Sequence, residues 1–116
     1  MIDFDLIVGF EWDSGNSRKN EVKHSVTQVE TEEVFFNHPL LISADDKHSE
    51  SERRYLALGK TNLGRELSVI VTLRKDATLI RVISARNQHR KERHLYEQAK
   101  QQDQAPAQVP LGSQRA

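Results

Sequence analysis

The 116-residue chain contains no cysteine, so neither a disulfide framework nor a thiolate metal site is available to it. It also lacks a long apolar run: nothing in it approaches the ~20 residues that cross a bilayer. The N-terminus, Met-Ile-Asp-Phe-Asp, carries acids where a signal peptide carries bases. Five scattered glycines make no phosphate-cradling loop, and no serine-nucleophile motif is present. Net charge is missing as well, with 17 Lys and Arg against 17 Asp and Glu. Together these absences imply a cytoplasmic protein that does not enter a membrane. Its length allows one domain with one modest core.

The charges that are present are unevenly spread. Residues 1–50 hold 4 Lys or Arg and 11 Asp or Glu, whereas residues 51–116 hold 13 and 6. Such a division fits either an anionic partner for the basic half or two fields that cancel on one folded surface. Hydrophobic patterning gives the order of elements. Phe4 to Trp12 reads as a strand ending in the turn formers Asp13-Ser14-Gly15-Asn16, and a helix follows, capped by Asn16 or Ser17, with Val22 and Val26 on one side. Thr27-Gln28-Val29-Glu30 has the form of a capping box and opens a second helix to Asn37, which Pro39 stops.

After a short apolar stretch at Leu40–Ser43 and a polar loop at Ala44–Ser51, three strand-like runs cover Arg54–Leu58, Glu66–Leu73 and Leu79–Ile83. Their turn-rich links predict antiparallel hairpins. Asn87–Gln102 has helical character, and Gln101–Ala116 is too poor in apolar residues to offset its ordering entropy. The expected class is α+β, an antiparallel meander with helices on one face, in a single domain over residues 1–100 with a disordered tail over 101–116.

Arg81 interrupts a run of strand aliphatics and shares a sheet face with Leu79 and Ile83 by the two-residue period. It is either a structural cation paired with an acid such as Glu52 or Glu66, or a phosphate-facing cation on a rigid strand. Arg74 and Arg86 stand beyond the ends of adjacent strands, and Arg90 and Arg93 follow Arg86 at helical spacing, so the set forms either a basic ridge or a solvated face. Lys23-His24 ends the first helix, where the macrodipole already favours cations, but imidazole is also the side chain suited to proton transfer near neutral pH. His38 and His48 lie among Asp45, Asp46 and Glu50 at spacings that match no standard ligand pattern, so no metal site is expected.

Several of these segments occur together in one known family. Trp12-Asp13, Lys19-Asn20, Lys23-His24, Asp46-Lys47-His48 with Glu52-Arg53, Thr72-Leu73-Arg74, Arg81-Val82-Ile83-Ser84-Ala85-Arg86, and Glu92-Arg93 with Tyr96 follow one another in the order found in BrnT toxins. Over roughly residues 10–96 the chain therefore resembles the BrnT family, ribonuclease toxins of type II toxin–antitoxin systems. Two positions depart from the pattern: Asn16 stands where many members carry Lys, and Ser25 where Gly is frequent. The resemblance implies a RelE-like architecture and metal-independent, cofactor-free RNA cleavage that inhibits growth. It implies His24 as acid or base with Glu52 as its complement, and Arg74, Arg81 and Arg86 as charge stabilisers. Lys19, Lys23, Arg53, Arg90 and Arg93 would hold the RNA. The implied partner is a BrnA-like ribbon-helix-helix antitoxin that masks the basic face in a heterotetramer and carries the complex to promoter DNA. The other reading is a non-catalytic module that docks the antitoxin and tunes repression.

Overall fold

The structure, a computed structural model, describes residues 2–49 and 51–103. Strands β1 (Gly9–Glu11), β2 (Leu41–Ala44), β3 (Arg54–Lys60), β4 (Glu66–Arg74) and β5 (Leu79–Asn87) form one sheet in the order β1-β5-β4-β3-β2. Helices α1 (Ser14–His24), α2 (Gln28–Val34) and α3 (Arg90–Asp103) complete the fold. As the turn-rich links implied, β3 to β5 run as antiparallel hairpins, and the short apolar stretch before the polar loop adds β2 antiparallel to β3. The first strand departs from that pattern by pairing parallel to β5, with Glu11 opposite Arg81.

That strand is also shorter than the apolar run from Phe4 to Trp12 suggests. The Asp3 carboxylate accepts from the Asp5 amide at 3.1 Å and caps a 3-10 turn over Phe4–Leu6, which diverts the chain before it reaches the sheet. A carboxylate likewise fixes the start of α1. Asp13 Oδ1 accepts from the amides of Gly15 and Asn16 at 2.7 and 3.3 Å, so the cap is Asp13 rather than Asn16 or Ser17. The helix ends at Ser25, which adopts the left-handed conformation with φ 56°. Val22 and Val26 therefore do not share a helix face: Val22 is exposed, whereas Val26 lies beyond the helix in the core.

The capping box at Thr27 is present in both directions, Glu30 accepting from the Thr27 amide at 3.0 Å and Thr27 Oγ1 from the Glu30 amide at 3.1 Å. The helix it opens is shorter than expected, closing at Val34 with Phe35 as its C-cap. Asn87, read above as helical, is the last residue of β5. The final helix instead opens at Arg90 and continues to Asp103, so the first three residues assigned to the tail are helical. The rest of that assignment, residues 104–116, lies outside the described residues.

Alternation along the strands separates two pleats. One carries Ala57, Leu67, Val69, Val71, Ile80, Val82 and Ala85 against Val26 and Val34, and this is the core. The α2 helix sits so close that a Cβ on Gly59 would lie 2.5 Å from Val34 Cγ1, which explains a glycine in mid-strand. Ser68 and Arg86, paired across β4 and β5, lie on the other pleat and both bond Glu92, so α3 packs there. Tyr96, fully buried, anchors α3 by donating its hydroxyl to the Pro39 carbonyl at 2.7 Å. Beyond Arg81 the outer edge of β5 has no β1 beside it, and α1 takes that place. Asn20, only 1% exposed, accepts the outward-pointing Ala85 amide at 3.2 Å.

Candidate functional site

Strand register assembles the first group of candidate residues. Glu11, Arg81, Thr72 and Arg54 are successive partners across β1, β5, β4 and β3, so their side chains stand in one row on the pleat away from the main core. Arg81 reaches Asp13 at 3.2 Å and Glu11 at 3.6 Å. Its ion-pair partners are therefore neither Glu52 nor Glu66. The register also slips between Ile70 and Val71, leaving Ile83 unpaired, so the simple alternation that linked Arg81 to Ile83 is broken by a bulge.

Arg74, at the end of β4, pairs with Glu52 at 3.3 Å. Its Nε is enclosed and makes no hydrogen bond among the described residues. Arg53, mostly exposed, meets Asp46 at 3.6 Å in the preceding loop. Arg54 was not among the residues singled out from sequence. Once the β3–β4 register is known it belongs to the same row as Arg81, because it lies opposite Thr72.

The second group gathers at the other end of β5. His24, at the C-terminus of α1, has its pKa pushed below the usual 6.5, first by burial and then by the charges of Lys23, Arg86 and Lys19. Lys19, Lys23 and Arg86 are thus each within electrostatic reach of His24. Arg86 forms a two-pronged contact with Glu92, 2.8 Å to Oε1 and 3.1 Å to Oε2. Glu92 also accepts the His89 amide at 2.8 Å and lies 3.4 Å from Ser68 Oγ. Burial alone would raise its pKa, but the Arg86 fork and the His89 amide outweigh it and hold the carboxyl ionised below its ordinary range. Arg90 and Arg93 flank this glutamate on α3, both exposed, and Arg93 also donates to the Gln88 carbonyl at 3.1 Å.

The two groups are joined by α1, whose N-terminus meets Arg81 through Asp13 and whose C-terminus carries His24 into the field of Arg86. An 11-residue helix spans about 16 Å at 1.5 Å per residue. His24 and Glu52 are not brought together. Glu52 is tied to Arg74, and Arg74 and Ser68, the partner of Arg86, are six residues apart on β4, on the order of 20 Å. The carboxylate that pairs with Arg86 is Glu92, which the sequence offered only within the Glu92-Arg93 segment and without a role.

The arrangement offers cations along a rigid strand edge, a neutral imidazole at one end and carboxylates that hold the cations in place. The family model for the ribonuclease toxin BrnT of type II toxin–antitoxin systems matches residues 12–92. Among solved structures, the 1.1 Å crystal structure of the Brucella abortus ribonuclease toxin BrnT is similar in fold. Its TM-score is 0.53 at 21% sequence identity, covering 72% of this chain and 99% of the Brucella chain. No curated protein matches.

Proposed function

The chain belongs to the BrnT family of ribonuclease toxins of type II toxin–antitoxin systems, and on that basis we propose that it cleaves RNA without a metal ion. In this reading a strand of RNA lies over the pleat away from the core, beside α1 and from Arg81 to Arg86 of β5, with its phosphates exchanging for the carboxylates that hold these arginines in the free protein. Arg74 and Arg54 extend the cationic row, and Lys19, Lys23, Arg90 and Arg93 steer the chain to its ends; Arg53 serves the loop side.

His24, neutral near pH 7, takes the proton of a ribose 2′-OH as that oxygen attacks its own phosphorus. The bond from phosphorus to the 5′-oxygen breaks, a 2′,3′-cyclic phosphate remains, and the leaving oxygen takes a proton from water. Arg86 carries the charge of the pentacovalent phosphorus. Glu92, ionised and acceptor-only, suits the orienting of Arg86 better than proton donation. Glu52, tied to Arg74, is too far along β4 to complement His24.

The observation that supports this reading best is the placement of α1, whose N-terminal cap holds Arg81 and whose C-terminus carries His24 into the electrostatic field of Arg86. A cognate ribbon-helix-helix antitoxin would neutralise the protein by covering this surface, and growth would stop when it is lost. The test is incubation of the purified, partner-free protein with mixed-sequence RNA in excess EDTA. Cleavage products with 2′,3′-cyclic phosphate ends are expected, and intact RNA would refute the reading. The pairing of Arg74, Arg81 and Arg86 with carboxylates also favours a second reading, a docking module without activity, which that refuting result would select.

A further inference from the structure

Strand β1 forms the sheet edge, and among the described residues no strand covers its outer side; its Glu11 pairs with Arg81 on one pleat, while Phe10 and Ile80 face the other. A groove of about 320 Å³ runs beside it, with Phe4, Ile7, Val8, Phe10, Phe35 and Phe36 in its walls. Val8 is 80% and Phe36 75% exposed, and Phe10 holds the aromatic floor together through ring contacts with Phe35 and Phe36 at 5.6 and 6.3 Å. Exposed apolar side chains gathered beside open backbone donors and acceptors are unusual on a free surface and mark a binding edge. Acids neighbour the groove's lining residues in the chain. Asp3 and Asp5 flank Phe4 and are exposed, Glu32 sits one turn before Phe36, and no Lys or Arg is among the groove's lining residues.

We propose that this edge docks an extended, cationic segment of the protein partner, whose backbone adds to β1 and whose alternate apolar side chains enter the groove. The proposal rests on the reading of the chain as one half of a toxin–antitoxin pair, and it places part of the contact on a surface distinct from the pleat that faces RNA. A second copy of the chain fits less well, because a two-fold contact would set Asp3, Asp5 and Glu32 against themselves. The chain's own residues 104–116 fit less well too, since Arg115 is their only charged side chain. Main-chain pairing supplies affinity in this mode and the groove supplies selectivity. Lys or Arg at the outward positions of the segment would meet the acidic rim.

Two measurements on the full-length protein test this. In an NMR titration with a ten-residue synthetic peptide alternating Val with Lys and Thr, shifts are expected at Val8–Phe10 and Phe36. An analogue with Asp in place of Lys should bind at least tenfold more weakly, as should the Lys peptide to the double variant Val8→Glu, Phe36→Glu. The double variant should still cleave RNA at the unaltered rate. Equal binding of both peptides, or shifts confined to the arginine edge, would overturn the proposal. In the second measurement, hydrogen exchange on the complex with the antitoxin encoded beside the gene should show new protection at β1. A complex that protects only the α1–β5 edge would overturn the proposal and leave the RNA reading intact. Failure of any complex to form would overturn the partner reading instead, and the peptide titration would then decide the groove alone. Loss of a homodimer in the double variant would assign the groove to a second copy and also overturn the proposal.

Discussion

Replacing Arg81 with Ala separates a structural cation from a phosphate-binding one. The Arg81 side chain is 22% exposed and holds Glu11, itself 31% exposed, and Asp13. Its removal leaves the two acids facing each other, with Glu11 Oε1 already enclosed and lacking a hydrogen bond. For a partly solvated pair the loss in stability is about 1 kcal/mol or less, which lowers the melting temperature by roughly 4–8 °C in a domain of this size. The protein stays folded at 25 °C. The effect on chemistry is larger, since one preorganised donor facing developing charge is worth ~2.7–4 kcal/mol, or about 10²–10³ in rate. The assay is single-turnover cleavage of a labelled RNA at saturating enzyme, with circular dichroism confirming the fold. Glu11→Gln provides the opposite sign, because removing a carboxylate that competes with phosphate should tighten RNA binding severalfold at low salt. Cleavage by folded Arg81→Ala within twofold of the unaltered protein would return Arg81 to a purely structural role.

For His24→Gln, cleavage should fall by about 10²–10⁴ with little change in RNA affinity, and the pH–rate profile should lose its acidic limb. The same group predicts a stability trend. Its folded pKa lies below 6.5, so the unfolded chain binds the extra proton first, and stability should decline as pH falls below about 6.5 and flatten in the variant; identical thermal-melt profiles would refute this. Ser25→Gly should stabilise by about 0.5–1 kcal/mol in urea denaturation, because a left-handed Ser carries strain that Gly does not, while the Ser25 carbonyl keeps its 2.7 Å bond from Arg65. Asn20→Ala should cost about 1–3 kcal/mol by orphaning the Ala85 amide, and faster exchange of that amide would check it. Deleting residues 104–116 should leave melting temperature and cleavage unchanged.

The sheet was legible because β3, β4 and β5 are short runs rich in aliphatic residues between turn-rich links, a local signal that needs no tertiary information to be read. The Thr27 capping box was equally legible, being local to four residues. What escaped were the features set by distant partners. Phe4–Trp12 has strand composition, but Asp3 turns its first half into a 3-10 turn and only three residues find a place beside β5. The helical spacing of Val22 and Val26 failed because Ser25 breaks the helix between them, and a non-glycine residue gives no warning of a left-handed turn. The burial of Asn20 had no signal in periodicity either, since it follows from the length of β5 left uncovered by β1.

At the candidate site the residue types were legible and the pairings were not. Arg81 was given two possible acids and uses two others, because register depends on a parallel strand and a bulge that only the folded sheet reveals. This pairing constrains the RNA binding proposed above. In the described structure Arg74, Arg81 and Arg86 each hold a carboxylate, so a phosphate gains an arginine only by displacing Glu52, Glu11 with Asp13, or Glu92. A phosphate diester offers the same two-oxygen face to the guanidinium fork as a carboxylate does, so the exchange is close to balanced and small changes decide it. The four acids also cancel the local field of the three arginines before a phosphate arrives. If the proposed function holds, the protein would attract nucleic acid weakly at long range and select it at contact, where carboxylates are exchanged for phosphates.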